Sequence, residues 1–274
     1  TAEFNITPFL RKGKNDIAVE VYRYSDGSYL ECQDFFRLSG IKRSVWLHAR
    51  PKTFIRDFFA KALLVNDYSD GLLNLSVDLE SYDRRHTVIR LEASLYDGDN
   101  KIFGETREAG RADSLALVEL TAEIPDVRPW SAESPSLYTL LLTLADNRGR
   151  VLESVSARIG FRTAEVKDGR FLINGRAVLL KGTNMHEHDP VNGHTIDEQL
   201  MMKDIRLMKM HNINAVRTSH YPQPERFYEL CDKYGIYLID EANIESHGIG
   251  YHPDVTLAHR PEWLGQHMLR TVRM

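Results

Sequence analysis

Ala177-Val-Leu-Leu-Lys181, Ile213-Asn-Ala-Val-Arg217 and Ile236-Tyr-Leu-Ile-Asp240 are short apolar runs separated by segments of helical spacing. The first run, continuous in apolar residues, reads as a strand buried on both faces. After it, Thr195-Ile-Asp-Glu198 fits a capping box, with Thr195 accepting from the backbone and Glu198 reaching back. Met201, Ile205 and Met208 follow on one helical face. Between the second and third runs, Phe227, Leu230, Cys231 and Tyr234 recur at i, i+3, i+4 and i+7, and Gly235 supplies the stop. Strand, helix, strand, helix, strand predicts parallel βα units. About 110 residues lie beyond Phe161, against ~250 for a complete (β/α)8 barrel, so the expectation is an incomplete TIM barrel.

Working back toward residue 1, the texture is that of β structure. Asn15-Asp-Ile-Ala-Val-Glu-Val-Tyr-Arg-Tyr24 alternates apolar and polar residues and ends at the turn residues Ser25-Asp-Gly-Ser28. Ser44-Val-Trp-Leu-His48 reads as another strand. Further runs are Leu73 to Leu79, Val88 to Leu95, Ala116 to Ala122 and Leu137 to Leu144, with turn clusters at Asp67 to Gly71 and Asp97 to Asn100. Short strands at this spacing predict an immunoglobulin-like β-sandwich. A border near Pro51 would separate it from an earlier β domain that supplies residues 1–50.

Composition excludes several classes. The 274 residues are 42% hydrophobic and 27% charged, as in an ordinary globular protein rather than a disordered one. No apolar run approaches the ~18 residues of a membrane-spanning helix. A net charge of -4 removes the electrostatic case for nucleic acid or an anionic membrane surface. The two cysteines, Cys32 and Cys231, fall in different predicted domains, so no bridge is expected. Thr1 to Leu10 lacks the regions of a signal peptide. Trp263 to Met274 reads as an amphipathic helix without a stop signal. Both ends suggest a piece of a longer protein.

Polar residues gather just after each predicted barrel strand: Asn184-Met-His186-Glu-His188, Arg217-Thr-Ser-His220, and Asp240-Glu-Ala-Asn243-Ile-Glu245-Ser-His247. In a barrel these strand ends converge on one face, where active sites of this fold lie. Glu245 and His247, two residues apart, would point the same way from an extended segment. A carboxylate and an imidazole there are a reasonable pair of metal ligands, and a carboxylate site with waters suits Mg2+. His186 and His188 share that spacing, which also resembles metal-dependent amidohydrolases. Glu31-Cys-Gln-Asp34 reads by itself as a solvated turn, and Gly248-Ile-Gly250 lacks the setting of a phosphate loop.

Tyr24 to Ile41, Pro129-Trp-Ser-Ala-Glu-Ser-Pro-Ser-Leu-Tyr-Thr139, Asn184 to His188, Arg217 to Pro222 and Ile239 to Gly248 are more distinctive stretches. Together they resemble the large bacterial β-galactosidases of glycoside hydrolase family 2. The resemblance runs through the whole chain in the family's order. It implies the end of a jelly-roll sugar-binding domain over 1–50, an immunoglobulin-like sandwich over 51–161 and the start of the catalytic barrel over 162–274. Glu245 and His247 match magnesium ligands. His186, Arg217 and His220 match residues of the galactosyl subsite, and Asp34 matches an aspartate that reaches both the sugar and a sodium ion. Cys32, Phe36 and Met185 depart from the residues usual in the family.

The resemblance further implies hydrolysis of terminal non-reducing β-D-galactose residues with retention, by a parent enzyme that is a homo-oligomer. Retention needs two carboxylates about 5 Å apart, one acid/base and one nucleophile. Both match positions beyond Met274, so the chain alone is expected to be inactive. The rivals are an amidohydrolase-like barrel using His186 and His188, and a carbohydrate-binding protein without catalysis. The compartment stays open.

Overall fold

The computed structural model describes residues 2–83, 87–115 and 117–274. Contacts divide them into two bodies, residues 45–242 (with 274) and residues up to 44 joined by 243–273.

In the larger body, the strands β1 (Thr53–Val65), β2 (Asp70–Ser81), β3 (Val88–Asp97), β4 (Asn100–Arg111), β5 (Val118–Ile124), β6 (Tyr138–Asp146) and β7 (Val151–Ile159) build a sandwich. One sheet orders β1-β2-β5. The other is five-stranded and runs Ser114–Leu115, β4, β3, β6, β7. All these pairs are antiparallel. Alternation along each strand sends one set of side chains inward. Leu73, Leu75 and Val77 from β2 meet Leu91, Leu95, Leu140, Leu142 and Leu144 from the opposite sheet in one core. The sandwich predicted from turn spacing is present, and β1, β4 and β7 add strands that the sequence reading did not single out. Ala116, the start of one predicted strand, lies outside the described residues.

Next come the antiparallel strands β8 (Ala164–Lys167), β9 (Arg170–Ile173) and β10 (Arg176–Ala177). The barrel opening then runs β11 (Gly182–Asn184), α1 (Glu198–Met210), β12 (Ala215–Arg217), α2 (Glu225–Tyr234) and β13 (Tyr237–Ile239), with its three strands parallel. The α1 face Met201, Ile205, Met208 and the α2 face Phe227, Leu230, Cys231 are buried together with Val216. Both helical faces are those the spacing predicts. The α1 cap is different: Asp197, not Thr195, is the N-cap, and its Oδ1 accepts the Leu200 N–H at 2.8 Å. Asp197 directly precedes the first helical residue, where a side-chain oxygen can reach the orphan N–H groups.

Ala177 to Lys181 is not the doubly buried strand expected of it. Leu179 is 74% exposed, and the ladder with β12 begins at Gly182. Asn214 is the reason. Its side chain donates to the Leu179 carbonyl and accepts the Lys181 N–H, so it occupies groups a neighbouring strand would use.

The sandwich is locked to the barrel strands by Trp130. Its Nε1 donates to the Asp232 carbonyl at 2.8 Å, and its ring meets Tyr237 edge-on and lies under Arg162. Gly235 caps α2 with a φ of 72°, and a Cβ there would stand 2.2 Å from the Ala132 carbonyl oxygen. Only glycine meets both the backbone and the packing requirement.

Residues 15–24, in the smaller body, and residues 44–48 do not form the strands predicted for them. Their alternation is real, but among the described residues no neighbouring strand pairs with it. What forms instead is a parallel pair, Glu31–Cys32 with Glu245–Ser246. Arg270, on the helix Leu264–Arg273, braces the pair through Glu31 at 2.7 Å.

Candidate functional site

Register decides what meets at the barrel face. Asn184 pairs with Arg217, and Arg217 with Ile239, so the three strands end level. Adjacent strands lie about 4.8 Å apart, which places the residues just past each end within side-chain reach. A cavity of about 250 Å³ opens there, lined in part by Asn184, Val216, Arg217 and Ile239.

Arg217 and His220 both turn to Glu241. The Arg217 Nε donates to Glu241 Oε1, and His220 Nδ1 lies 2.7 Å from Glu241 Oε2. An Arg217 guanidinium nitrogen is also 3.0 Å from His220 Nδ1. The shorter, charge-assisted contact to the carboxylate favours a proton on Nδ1. Burial pushes the Glu241 carboxyl upward, but hydrogen bonds from Arg217 and His220, and their charges, outweigh it and hold it below the usual carboxylate range. The sequence reading quoted Glu241 in its strand-end cluster but gave it no role. The position one residue past Asp240 was the available signal.

Asp240 works behind this layer. It accepts from the Thr218 hydroxyl at 2.7 Å and from the Tyr228 hydroxyl at 3.0 Å, tying the ends of β12 and β13 to α2. The half-buried His186 ring stands edge-on to His220 with centroids 6.0 Å apart. Thus the structure brings His186, Arg217 and His220 together. His188 is exposed.

The smaller body holds the other predicted site residues. Glu245 Oε1 and His247 Nδ1 are 3.2 Å apart, and the Tyr251 hydroxyl is 3.1 Å from the same nitrogen. Ligands of an octahedral ion at 2.0–2.1 Å sit about 3 Å from one another. The 3.2 Å between Glu245 and His247 matches that spacing, and it is equally the distance of the hydrogen bond the two side chains make with each other. Asp34 is exposed. Among the described residues, no group of three or more His, Cys, Asp or Glu is placed to hold a metal. Both cysteines are free and buried, and burial pushes the Cys231 thiol well above its ordinary range.

The arrangement of a sandwich followed by parallel strands with polar ends has relatives. Residues 1–51 match the sugar binding domain of glycosyl hydrolases family 2, residues 53–162 match that family's central domain, and residues 164–274 match its TIM barrel domain. The chain belongs to glycosyl hydrolases family 2. Its order is therefore a sugar-binding β domain, an immunoglobulin-like sandwich and the start of a TIM barrel. This family 2 chain is 47% identical over 254 residues to a β-galactosidase of Priestia megaterium, covering 90% of the chain and 24% of the relative. It is 41% identical over 282 aligned positions to a β-galactosidase of Alteromonas mediterranea, covering 100% of the chain and 26% of the relative. The chain thus spans about a quarter of the length of the curated relatives it matches.

Solved structures add a second view. A β-glucuronidase from Ruminococcus gnavus in complex with D-glucaro 1,5-lactone gives a TM-score of 0.73 at 28% identity, covering 87% of this chain and 37% of that one. A Parabacteroides merdae β-glucuronidase gives 0.66 at 28% identity, covering 76% and 27%.

Proposed function

We propose that this chain forms part of a retaining β-galactosidase that removes terminal non-reducing β-D-galactose from β-galactosides such as lactose. The observation that carries the reading is the level ending of β11, β12 and β13, which brings His186 and Arg217 to either side of His220, with Arg217 lining the cavity. Sequence similarity to β-galactosidases along the chain supports the galactoside over the glucuronide.

In this reading the three side chains hold the sugar ring through its hydroxyl groups, and those hydrogen bonds strengthen as the ring distorts toward the oxocarbenium-like transition state. Glu241 keeps Arg217 and His220 oriented, so little reorganisation is needed when charge develops. Glu245 and His247 would hold magnesium, and Asp34 would serve sugar and sodium binding. When bound, the magnesium ion would supply fixed positive charge beside the acid/base carboxylate. A Glu245 carboxylate committed to a metal is a poor proton donor, so it cannot serve as the acid. In this reading the acid/base and nucleophile carboxylates are not supplied by any of these residues, and the chain alone is expected to be inactive.

The test is the purified 274-residue chain with a chromogenic β-galactoside. Turnover above a blank overturns the inactivity. An in-frame coding sequence past Met274 without two further barrel carboxylates overturns the galactosidase reading. Measured side by side on the protein encoded by the complete gene, β-galactoside turnover should far exceed β-glucuronide turnover. The amidohydrolase rival has less support, because His188 is exposed while His186 packs toward His220.

A further inference from the structure

Behind His186 lies an ionisable pair that the catalytic reading does not use. Glu187 is 4% exposed and His194 is 7% exposed, and Glu187 Oε2 lies 3.2 Å from His194 Nε2. Seven residues apart in sequence, they are brought back together by a closed loop. Asp189 and Gly193 exchange backbone hydrogen bonds at 2.8 and 2.9 Å, and Asp189 Oδ1 accepts from Val191 and Asn192. Gly193 turns the chain with a φ of 66°.

Tyr221 connects this pair to the subsite. Its hydroxyl accepts the Glu187 backbone N–H at 2.9 Å. Its ring contacts His194 on one side at 5.7 Å and His186 on the other at 5.8 Å, and His186 then meets His220 at 6.0 Å. The order is therefore His194, Tyr221, His186, His220, with the buried pair at the far end from Arg217.

Burying a carboxylate against an imidazole adds little to fold stability, since well-packed apolar residues of similar volume often do as well. Held 3.2 Å apart without a hydrogen bond at His194 Nε2, the two side chains still restrict, by close packing, how the His194 ring can lie against Tyr221. We propose that Glu187 and His194 are positioning residues that fix Tyr221 and thereby the ring orientation of His186 toward the sugar. The role in sugar binding rests on the galactosidase reading, but the positioning itself can be measured without substrate.

The experiment uses histidine-labelled 274-residue chain and NMR of the His186 ring, with three variants. His194→Leu removes the nitrogen that faces Glu187. His194→Gln keeps an N–H at nearly the same place. Glu187→Gln removes the charge. His194→Leu and Glu187→Gln should each move the His186 ring signals by more than a linewidth and change the ring's tautomer balance. His194→Gln should restore the wild-type signals, while methyl signals of Leu95 and Leu140 in the sandwich stay put in all three. Unchanged His186 signals in His194→Leu would overturn the proposal, and so would equal displacement in the Leu and Gln variants. Loss of the Val216 amide signal in both His194→Leu and Glu187→Gln would make the pair a purely structural element, which also overturns it. Failure of galactosides to bind would instead sink the functional reading and leave these signals as they are.

Discussion

Residues 15–24 and strand β3 both alternate apolar with polar side chains, yet Ile17 and Val19 are each 63% exposed while Leu91 and Leu95 are 2% and 0% exposed. β3 has a hydrogen-bonded neighbour on each side, β4 and β6, and a second sheet to pack against. Residues 15–24 have neither among the described residues. Alternation states which side chains would share a face. It does not create the opposing layer, and without one the backbone stays with solvent. The sandwich and the barrel opening differ in a related way. The sandwich satisfies its own strands, whereas the barrel strands lean on Trp130 and the two helices.

That dependence sets the largest expected effect. Trp130→Ala should cost about 3–5 kcal/mol, the range for deleting a fully buried large aromatic. It should also broaden amide signals of Ala215 and Tyr237, which pack with Trp130. If urea unfolding moves while those signals hold, the sandwich and barrel strands are not coupled as described.

The next effect tests the alternation directly. Leu140→Ala should cost about 2–5 kcal/mol in urea unfolding, whereas Ile17→Ala should stay within about 0.5 kcal/mol. A large loss at Ile17 would mean that residues 15–24 find a partner after all. At α1, Asp197→Ala should cost about 1 kcal/mol, as for other N-caps, and Thr195→Ala much less. The reverse order would restore the capping box.

The smallest effect concerns pH. Glu241 has its pKa lowered in the folded chain, so its contribution is present above the ordinary carboxylate value of 4.5 and is lost as pH falls through the lower folded value. The carboxylate is about a quarter exposed, and solvent screening keeps the contribution below about 1 kcal/mol. In an acid titration, the His220 ring signal should change in that window, and Glu241→Gln should abolish the change. A response in the Gln variant would assign the transition to another group.

Helix faces were legible because periodicity and propensity act over a few residues. Met201, Ile205, Met208, Phe227, Leu230 and Cys231 are buried where spacing put them. The strand-end histidines were legible because parallel strands deliver their following residues to one face. The N-cap was misread because Thr195 and Asp197 are both good caps, and one turn of backbone decides between them. The exposed run near Leu179 was misread because the Asn214 side chain competes with a strand for backbone groups. Glu241 stayed silent because its meaning lies in what it touches, not in its spacing.

What the sequence determined by itself is therefore local: the buried faces of α1 and α2, the alternation of β2, β3, β5 and β6, and the polar residues that trail each barrel strand. Tertiary structure alone decided the level register of β11, β12 and β13, the capture of Arg217 and His220 by Glu241, and the burial of Glu187 against His194. Those outcomes depend on backbone ladders and ring contacts between residues far apart in the chain, and no local pattern encodes which distant partner will be present.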